Sequence, residues 1–339
     1  MFKNFSLFLV AIALVTSCQE LTLRHEAPSA TVANAHNQDS SKAKPIAKIV
    51  PLGTSPAPTP FVNPTPVPAV ITPPNTVVEI PLPKESPRVG IILGPGGMRS
   101  FAHIGVLKEF ARARIPINSI IGLEWGALMA GLYAVQGQVN ELEFKAMRMR
   151  ESDVPGKGFL GSRIKPENIS LFTDFLNQVF GNALFEKTKV EFACPTYNFN
   201  QDRTVFLGRG SIRDGLTKCL PYPPYFVENK SSMAAPFEVE EAANFMRARN
   251  INLVIFVNVL AKGDLFPKAV RADYQAEELL YSELRRELNK AKINGVNQII
   301  EVNTAKSSMI DFEARRDLIE EGAQAAKETV NKLVNQYGF

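Results

Sequence analysis

The sequence predicts an α/β domain, three layers deep, built on a mostly parallel central sheet. Three observations carry that expectation. Short, continuous apolar runs recur at Val89-Gly-Ile-Ile-Leu93, Ser119-Ile-Ile-Gly122 and Asn252-Leu-Val-Ile-Phe-Val-Asn258. Such runs suit strands buried on both faces. Helical stretches alternate with them, as they do in layered α/β folds. Glycines stand at two strand-to-helix junctions, where backbone N–H groups can converge at the positive end of a helix.

In chain order, the strand at 89–93 leads through a glycine turn into a helix over 98–113. A second strand at 119–122 leads into a helix over 125–136. Pro166 opens a helix running to 180, because proline suits the first helical turn. Residues 189–198 and 204–207 read as strands, and 237–249 as a helix. The run at 252–258 is of the central-strand type. A long charged helix is expected over 271–292, a last strand over 298–302 and a last helix over 311–336. The charged helix alternates signs and reads as a solvated face. No internal repeat is visible.

A chain of 339 residues has room for one large domain or two small ones. Its 45% hydrophobic content excludes wholesale disorder. One apolar run approaches spanning length, at the extreme N-terminus, which excludes a polytopic membrane protein. The 38 Lys and Arg nearly balance 34 Asp and Glu, with no long basic block, so no nucleic-acid partner is expected. Three Cys and three His leave little material for a metal site. The glycine turns match neither a dinucleotide fingerprint nor a P-loop, so no cofactor is expected either.

Residues 1–17 read as an export signal, with Lys3 before an apolar stretch from Leu7 to Val15. Val15-Thr16-Ser17-Cys18 resembles a bacterial lipobox. That resemblance implies cleavage before Cys18 and acylation there, hence a membrane partner reached through a lipid anchor. An ordinary signal peptide beside a chance Cys is the alternative. Two or three acyl chains hold a protein on a membrane durably. The expected location is the cell envelope, on the periplasmic or outer-membrane side. Gln19, in place of Asp, leans toward the outer membrane by analogy with enteric bacteria.

Residues 18–86 form a Pro-rich tether. Fourteen of the 24 Pro lie between Pro28 and Pro87, which favours polyproline II and leaves no material for a core. Fully extended, the segment would reach on the order of 200 Å. A docking peptide for a proline-recognising partner is the other reading. The globular domain then occupies 87–339.

Two junctions carry the chemistry. The first is Leu93-Gly-Pro-Gly-Gly-Met-Arg-Ser-Phe-Ala-His-Ile-Gly-Val-Leu107, a loop whose amides suit an anion. The second is Gly122-Leu-Glu-Trp-Gly126, which has the frame of a nucleophile elbow with Glu124 in the nucleophile's place. As a pair, at this spacing, they resemble the patatin-like phospholipase family. The likeness continues through Ile212–Phe226 and Pro236–Asn258.

The resemblance implies a lipid acyl hydrolase fold. In that family a Ser–Asp dyad attacks the ester, and the glycine loop stabilises the oxyanion. Neither dyad member stands here. Glu124 replaces the Ser, between Gly122 and Gly126, and the stretch Val227–Ser232 contains no Asp-Gly. Asp214-Gly215 falls too early and reads as a decoy. In the oxyanion loop Gly96, Gly97, Met98 and Arg99 remain in frame, while Pro95 and Ser100 replace glycines. Pro95 also removes an amide donor.

Glu124 at a helix N-terminus is favoured by the dipole, by about 0.3–1 kcal/mol. Its carboxylate is expected to turn toward the amides of residues 96–99, or to pair with Arg99, and so to occupy the oxyanion pocket. An exposed Glu on an idle turn is the alternative. A glycosidase-like pair with Glu228 lacks any accompanying sugar site.

Trp125 is expected to fill the former cleft; an aromatic wall for a lipid chain is the other reading. His103 reads as structural, and His25 and His36 fall in the tether. Cys194 and Cys219 are left to pair in an oxidising compartment, or not. The function expected is a catalytically inactive protein that binds a lipid or an envelope protein. The competing expectation is an active hydrolase using Ser100 or Ser231 with Asp214.

Overall fold

A computed structural model describes residues 86–154, 167–223, 225–260, 284–288, 293–307, 309 and 311–339. The signal peptide, the lipobox and residues 18–85 of the tether lie outside the described residues, as do the expected helix start at Pro166 and most of the helix expected over 271–292, of which 284–288 are helical.

Seven strands form one sheet. They are β1 (Val89–Leu93), β2 (Ile117–Gly122), β3 (Glu191–Asn198), β4 (Arg203–Leu207), β5 (Ser232–Ala234), β6 (Leu253–Asn258) and β7 (Gln298–Glu301). The order is β4-β3-β2-β1-β6-β7, with β5 pairing β3. Strands β3-β2-β1-β6-β7 run parallel, and β4 and β5 add antiparallel partners to the far half of β3. Every residue of β1 and β6 is buried, so the sheet's centre is covered on both faces.

Besides the short segment 284–288, the helices among the described residues are α1 (Ala102–Arg112), α2 (Trp125–Gln136), α3 (Val139–Ala146), α4 (Ser170–Phe180), α5 (Ile212–Cys219), α6 (Val239–Arg247) and α7 (Arg315–Tyr337). The start of the helix expected over 98–113 is a 3-10 turn, Gly97–Phe101, that runs straight into α1. The last helix begins at Arg315, four residues beyond the expected Asp311. The Asp311 carboxylate accepts from the Glu313 and Ala314 amides and makes a turn there instead.

Two strand ends position the site. β1 stops at Leu93, and Gly94 N–H still donates to Val257 O of β6 (2.9 Å), so the glycine loop leaves the sheet at its centre. β2 stops at Gly122 and feeds α2, which is buried from Trp125 to Ala134 and behaves as a core helix. α7 lies against α1 with backbones touching: a Cβ on Gly105 would strike Ile319 O, and one on Gly322 would strike Ala102 O. Cys194, where β3 leaves β2, is joined to Cys219 at the end of α5 by a disulfide spanning 25 residues, with Cα atoms 6.1 Å apart. In the loop-entropy account such a cross-link contributes about 3 kcal/mol.

Candidate functional site

The elbow keeps the backbone of its frame. Glu124 has φ 51° and ψ −125°, a region that costs a non-glycine residue about 1–3 kcal/mol. The turn is held by Leu123 N–H donating to Leu93 O (2.9 Å), Gly126 N–H to Leu123 O (2.9 Å) and Ala127 N–H to Glu124 O (2.8 Å). The flanking glycines are required sterically. A Cβ at Gly122 would meet Gly126 O and Ala127, and one at Gly126 would meet Leu93 O.

The Glu124 side chain is fully buried. Its Oε2 accepts from Gly96 N–H at 3.0 Å and, at the long end of the range, from Gly97 N–H at 3.4 Å. The turn toward the loop amides expected from the sequence is seen. The acid thus bridges the two junctions through the pocket in which the resemblance places an oxyanion.

The rest of the glycine loop is equally occupied. Position 95 is a proline and has no amide. Met98 N–H donates to Met309 O (2.6 Å), and Arg99 N–H closes a turn onto Gly96 O (3.0 Å). Gly97 has φ 54°, and a Cβ there would come within 2.6 Å of Met309 O, so a glycine is needed on both counts. The Arg99 guanidinium, nearly buried, donates through Nε to Ser307 O (2.9 Å). Residues 95–99 therefore present no spare amide to a ligand.

Trp125 is buried, its ring 5.4 Å from Phe172. With Met98, Val154, Tyr225, Met309 and Phe312 it lines a cavity of about 10 Å³. That is room for about one water and none for an acyl chain. Tyr222 lies near enough to feel the acid: burial first, and the Glu124 charge second, push its hydroxyl up to about 12.

His103 sits inside α1 with Nε2 2.8 Å from Gly94 O, the nitrogen acting as donor, and so pins the helix to the loop. Its Nδ1 has no partner. Burial, only partly opposed by the Gly94 bond, lowers its pKa to about 4, so the ring is neutral.

The residues of the competing hydrolase are not brought together. Ser100 is fully buried, and its hydroxyl has no hydrogen-bond partner. The Asp214 side chain is 65% exposed on the first turn of α5 and pairs with Arg213. Ser231 lies in the turn before β5 with φ 56°. Glu228 is exposed, whereas Glu124 is not. Two parts of the site carried no signal in the sequence: the Met309 carbonyl, which any residue could supply, and the wall made by Tyr222 and Tyr225.

Comparison with known proteins extends the resemblance to a matched domain. Residues 91–246 match the family model described as "Patatin-like phospholipase", which covers both junctions and the Tyr222–Tyr225 wall. The chain carries a patatin-like phospholipase domain. It is similar to "Lysophospholipase nte1" of Emericella nidulans, 29% identical over 135 residues, covering 37% of this chain and 8% of that one. It is also similar to "Lysophospholipase NTE1" of Coccidioides immitis, 27% identical over 188 residues, covering 53% and 12%. The chain thus spans about a tenth of the length of these curated relatives. Among solved structures, VipD from Legionella pneumophila aligns with a TM-score of 0.43 at 11% identity, over 75% of this chain and 67% of that one. The matched residues 91–246 include the elbow frame and the glycine loop, with the Glu124 side chain lying between them.

Two outcomes follow. Glu124→Ala should lower stability by about 2–4 kcal/mol in urea unfolding, since it strands two buried donors and opens a void. Added formate should recover part of that loss by occupying the vacated amides; equal stability of variant and wild type would contradict the bridging role. The His103 shift makes stability depend on pH. Because the folded pKa of about 4 lies below the unfolded 6.5, the unfolded chain takes up a proton that the native state refuses as pH falls between those values. Stability from this group is present above 6.5, declines through the window and levels off below about 4, for a total of about 3 kcal/mol. His103→Gln should flatten that part of the stability profile measured by urea unfolding.

Proposed function

We propose that the chain is a membrane-tethered lipoprotein whose patatin-like domain binds rather than hydrolyses. It is a pseudoenzyme, and its ligand is a lipid or an envelope protein. The observation that carries this reading is the occupancy of the glycine loop. Acyl transfer needs a nucleophile at the elbow and free donors for the developing oxyanion. Here the elbow residue is a carboxylate, and it takes two of those donors. Met309 O takes a third. A carboxylate attacking an ester would yield a mixed anhydride, less stable than the acyl-serine ester of the family mechanism.

Three further features support the placement. The N-terminal segment ends in a lipobox-like Val15-Thr-Ser-Cys18, and the Pro-rich tether gives reach. In this reading attachment through Cys18 supplies the membrane contact. The buried Cys194–Cys219 disulfide suits an oxidising compartment.

The deciding experiment is hydrolysis of p-nitrophenyl esters and of lysophospholipid by the purified chain, with labelling by a fluorophosphonate. The expected result is turnover at the level of buffer and no labelled serine. Turnover abolished by the phosphonate, with label on any serine, would overturn the reading. Tethering is tested separately: expressed in bacteria, the chain should incorporate radiolabelled palmitate, and Cys18→Ser should lose the label and leave the membrane fraction. Equal labelling of both would contradict acylation at Cys18.

A further inference from the structure

A second cavity, of about 530 Å³, lies where the chain passes from β7 to α7. Its size suits a small molecule. Its charge is one-sided. Asp311, Glu313, Asp317, Glu320 and Glu321 line it, and Lys306 is the one cation among its described lining residues. The carboxylates of Glu313, Asp317, Glu320 and Glu321 make no ion pair or hydrogen bond with the described residues. Helix α7 accounts for only part of this charge. Asp317 lies in its first turn, where the helix dipole favours an acid; the effect fades beyond that turn, and Glu320 and Glu321 lie past it. Asp317 and Glu321 also stand four residues apart on one face, a like-charge pair that weakens a helix.

The floor carries a second feature, independent of the acids. Ser307 lines the cavity and is only 7% exposed. Its N–H donates to Thr304 O (3.1 Å), and its carbonyl accepts from Arg99 Nε (2.9 Å). With its backbone engaged on both sides, the polar group that Ser307 turns to the cavity is its hydroxyl, which has no hydrogen-bond partner among the described residues. A hydroxyl so far withdrawn from bulk water, yet unpaired, calls for a ligand that can donate to it. Thr304 beside it is already satisfied: its Oγ1 donates to Val259 O at 2.6 Å and fixes the floor to the end of β6.

The distribution of charge selects the kind of cation. Among the described residues no three acids are placed to hold one metal ion. The carboxylates are spread along a turn and a helix face, and Ala314 and Leu318 give that face apolar surface among them. Such a wall matches several ammonium groups joined by methylenes better than it matches a point charge. We propose that this cavity binds a linear aliphatic polyamine. Its ammonium groups pair with Asp317, Glu320 and Glu321, its methylenes cover Ala314 and Leu318, and one of its N–H groups donates to Ser307 Oγ.

Isothermal titration calorimetry of the full chain with spermidine at low ionic strength tests this. Binding to one site is expected, weakening as salt is added. Mg²⁺ and butylamine, titrated in the same way, should bind at least about tenfold more weakly. Asp317→Asn/Glu320→Gln removes two charges at exposed positions, where the fold does not depend on them, and should raise the spermidine Kd about tenfold. Ser307→Ala leaves the acids in place and should raise it about fivefold. Circular dichroism checks that both variants keep the wild-type fold. The proposal is overturned if the wild type gives no heat of binding, if Mg²⁺ binds as tightly as spermidine, or if either folded variant binds spermidine as the wild type does.

Discussion

One buried carboxylate organises the site. Glu124 hydrogen-bonds from the elbow to the glycine loop, and both of those segments are held in conformations that need support. The elbow carries a left-handed, non-glycine residue; the loop turns on Gly96 and Gly97. Removing a charge-bearing group from water is expensive unless hydrogen bonds and dipoles replace the water. Here the replacement is built in: two loop amides face Oε2, and the start of α2 lies directly behind the acid. The amides that would face a transient oxyanion in a hydrolase here face Glu124 Oε2.

The same substitution accounts for features that look unrelated. A strained elbow without a nucleophile has no catalytic justification, yet Gly122 and Gly126 leave the backbone no other path. The strain is therefore a property of the strand-to-helix connection. Trp125, next in the chain, packs on Phe172 and reduces the adjoining space to about 10 Å³. Met309 O completes the closure from a segment beyond the family-matched residues 91–246. The adjacent acid and indole and the distant Met309 carbonyl close one volume.

How much of this was legible depends on which physical signal each part leaves. The central strands were plain because parallel strands covered on both faces must be continuously apolar, as β1 and β6 are. The bounds of α2 follow from the elbow glycine before it and the left-handed Gly137 after it. By contrast α3 buries only Leu142 and Ala146, too few to print a period, and β5 is three residues long. Glu124 could be placed from the elbow frame, but the choice between loop amides and Arg99 needed geometry, because both acceptable partners lie in one short segment. Arg99 donates through Nε to Ser307 O. The contribution of Met309 was invisible, since a backbone acceptor is independent of residue type, and the pairing of the two cysteines turned on a separation that spacing alone does not give.

The central claim is that the Gly96 and Gly97 amides are held by the Glu124 carboxylate, and site-resolved hydrogen exchange measures that most directly. The account predicts that both amides are protected in the wild type and exchange much faster in Glu124→Gly, while amides in the middle of β6 keep their protection. Equal exchange at Gly96 and Gly97 in the two proteins, with β6 likewise unchanged, would contradict it.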